Sequence, residues 1–200
     1  MSEKPILFST DMVKAIMDGR KTMTRRVIKP QPERIAPDSK NRLPLAFLAD
    51  GTKWIKPPYQ PGDVLWVRET WAVDDNPACV PQYIYKADDG FYPEGGWRPS
   101  IHMPREAARL FLTVKEVRVE GLQDITEEDV KAEGIKSYWA EPHRDDPPFI
   151  GAAKEIGADL CQTRHIAFKQ LWDSIYAKKG HGWEASPYVW VTSFERKVPK

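Results

Sequence analysis

A chain of 200 residues, 41% of them hydrophobic, carries enough apolar material for a single domain with a real core. Its formal net charge of +1 excludes a global field that would gather nucleic acid, so any such binding needs a local patch. No segment approaches the roughly 20 apolar residues of a membrane span, and Met1 to Phe8 is too short and too polar for a signal peptide.

Cys79 and Cys161 lie far apart with no CxxC spacing, which points to a reducing compartment and a cytoplasmic protein. His102, His143, His165 and His181 are scattered without metal-ligand spacing, so no metal is expected. Eight tryptophans and seven tyrosines exceed what a core of this size needs, and surplus amphipathic rings often mark places where flat molecules bind.

In chain order, Ile6-Leu7-Phe8 reads as a short strand, and Ser9 or Thr10 caps a helix with Val13, Ile16 and Met17 on one face. Gly19 is a natural stop for that helix. The next run, Arg20-Lys21-Thr22-Met23-Thr24-Arg25-Arg26, is dense in cations and hydroxyls and is poor core material. Residues 31–60 are proline-rich and irregular and read as an insertion.

Pro61-Gly62-Asp63 signals a turn into a strand, Val64 to Trp71, apolar on both faces at its start and so covered on both sides. A second insertion, about 74–103, holds one possible strand at Tyr83-Ile84-Tyr85. Leu110 to Val119 alternates as a strand, with a phase slip near Lys115-Glu116 that marks a bulge or bend. Thr126 starts a helix, Glu127 to Glu133, with an acidic first turn and Gly134 at its end.

A third insertion covers about 136–163, with a loop at Asp145 to Pro148. Phe168, Leu171, Trp172 and Ile175 have the spacing of an amphipathic helix. Tyr188 to Phe194, introduced by Pro187, is the last strand. Short strands with few helices at the margins give an α+β chain with a small mixed or barrel-like sheet, not a doubly wound parallel one.

Three residues can carry chemistry: Lys21 and Thr24 in the basic run, and Glu69. A threonine hydroxyl is a poor nucleophile until a base takes its proton. A lysine serves as that base only where burial or a neighbouring cation favours its neutral form. Lys21 and Thr24 meet only if the chain turns or bulges between them, and the exit from a helix cap allows that. The other reading of the run is a solvated basic loop with threonines of high β-propensity.

Glu69 shares a strand face with Leu65, Val67 and Trp71, where a carboxylate is costly unless paired. Either it finds Lys21, Arg26 or Arg105, or its pKa rises; either outcome suits proton transfer. Alternatively the strand frays near Arg68 and Glu69 points to water. Trp71, Trp97 or Trp190 could stack on a base, while the ordinary role of any one of them is packing.

Gly19, Lys21 and Arg26 fall on a G-x-K-x-x-E-x-R pattern that resembles the signature of the ASCH domain family, a branch of the PUA-like β-barrel superfamily. The order of parts agrees: strand, helix, signature, a Pro-Gly-Asp turn into the strand bearing Glu69, and a closing strand. The wording of Ile6 to Thr10 and Gly19 to Pro30 is similar to ASCH proteins of phages and prophages. The resemblance spans roughly residues 5–30, 61–73, 104–134 and 165–196. It implies a single PUA-like (ASCH) β-barrel domain over residues 1–200, with flanking short helices and long loop insertions.

Position 24 departs from the signature, with threonine where many members have glutamate. Small bacterial ASCH amidohydrolases that cleave N4-acetylcytidine also carry threonine there. The resemblance therefore implies an amidohydrolase acting on N4-acylated cytidine or a related modified nucleoside. Lys21 would be the base, Thr24 the nucleophile and Glu69 the proton donor, with Arg26, Arg20, Trp71 and Arg105 as substrate contacts. The reaction so implied requires no organic cofactor. The alternative it implies is an RNA-binding PUA-like module, or a ribonuclease, using the same basic cleft. The expected partner is a modified nucleoside or RNA.

Overall fold

The computed structural model describes residues 2–37, 44–47, 54–74, 82–88, 90, 92–135 and 160–197. The chain forms a mixed α+β structure, rich in sheet with few helices, and divides into two compact units. The first comprises residues 1–22, 59–116 and 194–200, and the second residues 23–58 and 117–193.

In the first unit, β1 (Glu3–Leu7) runs parallel to β6 (Val64–Arg68), with Glu3 opposite Val64 and Leu7 opposite Arg68. The other edge of β6 pairs antiparallel with the start of β9 (Phe111–Gly121), Leu65 opposite Leu112. Ile6, Leu65, Val67, Leu112 and Val114 are buried from this sheet. Helix α1 (Thr10–Met17) buries Val13, Ala15 and Ile16, while Met17, expected on the same face, is exposed.

The ends of α1 follow local rules. The Ser9 hydroxyl accepts from the Met12 amide, and Gly19 has φ 74°, the left-handed conformation glycine adopts without strain. The amides of Arg20 and Lys21 both donate to the Ala15 carbonyl at 2.9 Å, so the chain turns sharply off the helix end.

The expected strand from Val64 to Trp71 is two strands. β6 stops at Arg68, and β7 (Trp71–Asp74) pairs with β8 (Gln82–Tyr85) as a hairpin, Trp71 opposite Tyr85. The break falls at Glu69, whose amide donates to Met103 Sδ at 3.2 Å and not to a neighbouring strand. The turn before β6 is held by Asp63, which accepts from Ser2 Oγ at 2.7 Å, Lys4 Nζ at 2.8 Å and the Gln60 amide at 3.0 Å.

In the second unit, β2 (Met23–Val27) lies antiparallel to β10 (Tyr188–Arg196), with Thr24 opposite Thr192 and Arg26 opposite Trp190. One apolar cluster joins Val189 and Val191 to Leu122, Ile125 and Val130 and to Phe168 and Trp172. Val130 comes from α2 (Glu127–Ala132), and Phe168 and Trp172 from α3 (Leu160–Tyr176). Thr126 caps α2 by accepting from the Asp129 amide, as its sequence predicts.

Residues 31–60, expected as an irregular excursion, contain β3 (Arg34–Pro37), β4 (Pro44–Phe47) and β5 (Trp54–Ile55) in an antiparallel sheet of their own. Strands of four, four and two residues are too short for period-two alternation to show above the proline background. Of the insertion expected at 136–163, residues 136–159 lie outside the described residues, and α3 opens at Leu160. In the insertion at 74–103, β8 falls on the expected strand, and residues 75–81 lie outside the described residues.

β9 and β10 run through both units, and the hydrogen-bonded order is β1-β6-β9-β10-β2. In β9 the phase slip is present as two successive exposed residues, Lys115 and Glu116, between buried Val114 and Val117. Among the described residues the sheet does not close into the expected barrel.

Arg25 organises the second unit. Its side chain is 1% exposed and meets Glu120 from β9 at 2.5 Å, Asp129 from α2 at 2.6 Å and Glu133 at 3.2 Å. Arg118 bridges the same Glu120 and Asp129. Removing the guanidinium would take Arg25 from the buried Glu133 and leave Glu120 and Asp129 to Arg118, so Arg25→Met is expected to cost about 3 kcal/mol in urea unfolding.

Asp63 gives a pH-dependent counterpart. Burial acts to raise its carboxyl, but the hydrogen bonds from Lys4, Ser2 and Gln60 outweigh it and hold the pKa at about 2. A lowered native pKa stabilises the fold above the unfolded value of 3.8 and loses that contribution as pH falls through about 2. The stability gap between wild type and Asp63→Asn is therefore expected to be full near neutrality and to shrink across that acid window.

Candidate functional site

The signature run straddles the boundary between the units, Arg20 and Lys21 on one side and Thr24, Arg25 and Arg26 on the other. Lys21 follows the glycine turn and is 2% exposed, with its ammonium 5.7 Å from the centroid of the Phe8 ring. Thr24 is 3% exposed in β2 and faces Thr192, which is also buried, across the ladder. Arg26, next but one along the strand, is half-buried.

The other cations of the run are engaged locally. Arg20 donates to Asp18 at 2.7 Å on the surface. Arg25 is enclosed by the three carboxylates of the second unit, which removes it from the cations a phosphate could reach.

Glu69 is 1% exposed. Its partner is a residue outside the expected set: Arg109 donates from Nε to Oε1 at 2.9 Å and from Nη2 to Oε2 at 3.0 Å, a bidentate fork. Arg109 Nη1 meets both carboxylate oxygens of Asp88, at 2.9 and 2.7 Å. The guanidinium lies 3.9 Å from the centroid of the Tyr85 ring, and the Tyr85 hydroxyl donates to the Ala107 carbonyl at 2.7 Å. The β7–β8 hairpin positions Tyr85 and Asp88, and the segment leading into β9 positions Arg109.

Burial raises the Glu69 carboxyl above its ordinary 4.5, outweighing the hydrogen bond and charge of Arg109, with Asp88 adding to the rise. The same burial raises the Tyr85 phenol. Arg109 is raised too, because its two carboxylates outweigh its own desolvation.

Arg105, expected beside Glu69, pairs instead with Glu3 at 2.7 Å and lies over the Phe111 ring. Trp71 is 5% exposed and packs with Met103 and Ala107, with Tyr83 edge-on and Arg98 over its ring. In this position it is a core residue. Trp190 is buried as well.

The signal for Arg109 was present in the sequence: an apolar strand face bearing Glu69 demands a cation. Arg105 and Arg109 both precede β9, and only the fold distinguishes them. Asp88 gave no signal, since its turn belongs to a stretch without a periodic pattern. Among the described residues no group of three or more histidine, cysteine or acidic side chains is arranged to hold a metal ion. Among them, too, no helix is long and apolar enough to cross a membrane.

No family model and no curated protein matches the chain. A solved structure, the ASCH domain from Lactobacillus crispatus JV V101, is similar over 98% of this chain and 79% of that one, at 10% identity and a TM-score of 0.38. A likeness at that level carries no residue roles across.

The raised Glu69 carboxyl has a direct consequence for stability. A native pKa above the unfolded value means that the folded chain holds the proton more tightly. That contribution is complete below about 4.5 and is lost as pH rises through the native value. The stability of wild type relative to Glu69→Gln is therefore expected to fall as pH rises from about 4.5 toward neutrality. Urea titrations at stepped pH read it, and a pH-independent difference would refute the assignment.

Proposed function

We propose that the protein is an ASCH-type amidohydrolase acting on N4-acylated cytidine or a related modified nucleoside, with Lys21, Thr24 and Glu69 as its reacting groups. The observation that carries the reading is the distribution of buried polarity. Among the described residues seven polar or charged side chains are buried: Lys21, Thr24, Arg25, Asp63, Glu69, Glu133 and Thr192. Arg25 and Glu133 belong to one ion network, Asp63 holds a turn, and Thr192 is the cross-strand neighbour of Thr24. Lys21, Thr24 and Glu69, the last ion-paired with Arg109, are the residues the signature resemblance nominates for catalysis. Buried polar groups are costly, and active sites are where such groups concentrate.

In the proposed reaction the Thr24 Oγ1 proton passes to Lys21 Nζ as the oxygen bonds to the acyl carbon. The C–N4 bond then breaks, and Glu69 delivers its proton to the departing nitrogen, leaving an acyl ester on Thr24. Water adds its hydroxyl to the acyl carbon and returns a proton to Glu69. Thr24 leaves with the proton held by Lys21, and the free carboxylic acid is released. Arg26 or a backbone N–H stabilises the oxyanion. The raised Glu69 carboxyl supports the donor role, since it holds its proton to a higher pH than a free carboxyl does.

Incubation with N4-acetylcytidine, followed by chromatography for cytidine, is expected to show turnover. Thr24→Ala should abolish it with a modest change in stability, because the substitution removes one hydroxyl and one methyl. Lys21→Arg should be equally inactive, because arginine keeps the charge but cannot surrender its proton. Full activity in Lys21→Arg would exclude lysine as the base. An RNA-binding module gives a different pattern: Lys21→Arg retains affinity, and binding falls steeply as salt rises, whereas turnover of a neutral nucleoside does not.

A further inference from the structure

We infer that Arg109 is the positioning residue of the Glu69 carboxyl, and that Asp88 acts on Glu69 through Arg109 as a counterweight. The inference rests on the reading of Glu69 as proton donor for its kinetic consequence, but its geometry stands independently of any reaction.

Glu69 is nearly sealed from water, and both of its oxygens accept from one guanidinium, at 2.9 and 3.0 Å. A bidentate fork fixes the plane of the carboxylate as well as its location. The fork is itself held on two further sides, by both oxygens of Asp88 on Nη1 and by the face of Tyr85. Tyr85 is tied through its hydroxyl to Ala107, two residues before Arg109, so ring and guanidinium are anchored to the same short segment. Two carboxylates thus share one cation. Glu69 is buried, while the Asp88 side chain is 49% exposed to solvent.

The charges on Glu69 act in opposite directions. Arg109 favours the carboxylate, and Asp88 favours the carboxylic acid by repulsion and by competing for the guanidinium. In this setting the arginine draws the proton off the carboxyl, while burial and the aspartate hold it on. Removing either partner is therefore expected to move Glu69 in opposite senses, which a purely structural role for Arg109 would not produce.

The test is the pH dependence of N4-acetylcytidine hydrolysis, read on the limb where activity declines as Glu69 loses its proton. Arg109→Met should move that limb to higher pH, Asp88→Asn should move it to lower pH, and Arg109→Lys should stay nearer wild type than Arg109→Met does. The carboxyl is read separately, without substrate, from the infrared band of the Glu69 acid, assigned by difference against Glu69→Gln and titrated in each variant. Opposite displacements of that band support the inference even if no hydrolysis occurs, in which case only the amidohydrolase reading fails. Displacements in the same direction, or none, overturn it. Should Arg109→Met fail to fold, Asp88→Asn and Arg109→Lys carry the same comparison, and an unmoved band in Asp88→Asn is sufficient to reject it.

Discussion

A guanidinium withdrawn from water needs its charge and its N–H groups met, and Arg25 meets that demand with three carboxylates. The consequence reaches beyond the ion network. Successive residues of a strand point to opposite faces, so fixing Arg25 toward Glu120 and Asp129 fixes Thr24 and Arg26 on the other face of β2. A slip of one residue would carry Thr24 to the face that meets α2 and strand a cation on the other. The register of β2 against β10, and with it the pairing of Thr24 and Thr192, is thus set by charge as much as by apolar burial.

The first unit contains a parallel case with a different outcome. Glu69 and Arg109 pair within a chain segment that also brings an exposed second carboxylate, Asp88. Arg25 is the centre of its network, and its partners share an excess of negative charge. Arg109 instead mediates between one buried acid and one exposed acid. The first arrangement holds elements together. The second leaves a carboxyl whose proton is contested, the condition that proton-transfer chemistry uses.

The same contrast limits what the basic run can do. Four cations within seven residues suggest a phosphate-binding surface, but two of them, Arg20 and Arg25, already have carboxylate partners and one, Lys21, is buried. Density of charge along the chain is not density of charge at a surface.

What the sequence determined by itself was local. Ser9 and Thr126 capped their helices, Gly19 turned the chain after α1, and the spacing around Phe168 and Trp172 placed their helix against a core. Each of these depends on residues within a turn or two, so the pattern is written in adjacent letters. The cost of a buried Glu69 was legible for the same reason, since its strand neighbours are apolar. Tertiary structure alone decided the partners. Arg25 meets acids 95, 104 and 108 residues away, and Glu69 takes Arg109 in preference to the nearer Arg105. A guanidinium does not distinguish one carboxylate from another along the sequence; which of them lies within hydrogen-bonding reach is fixed only when the strands and hairpins that carry them have packed.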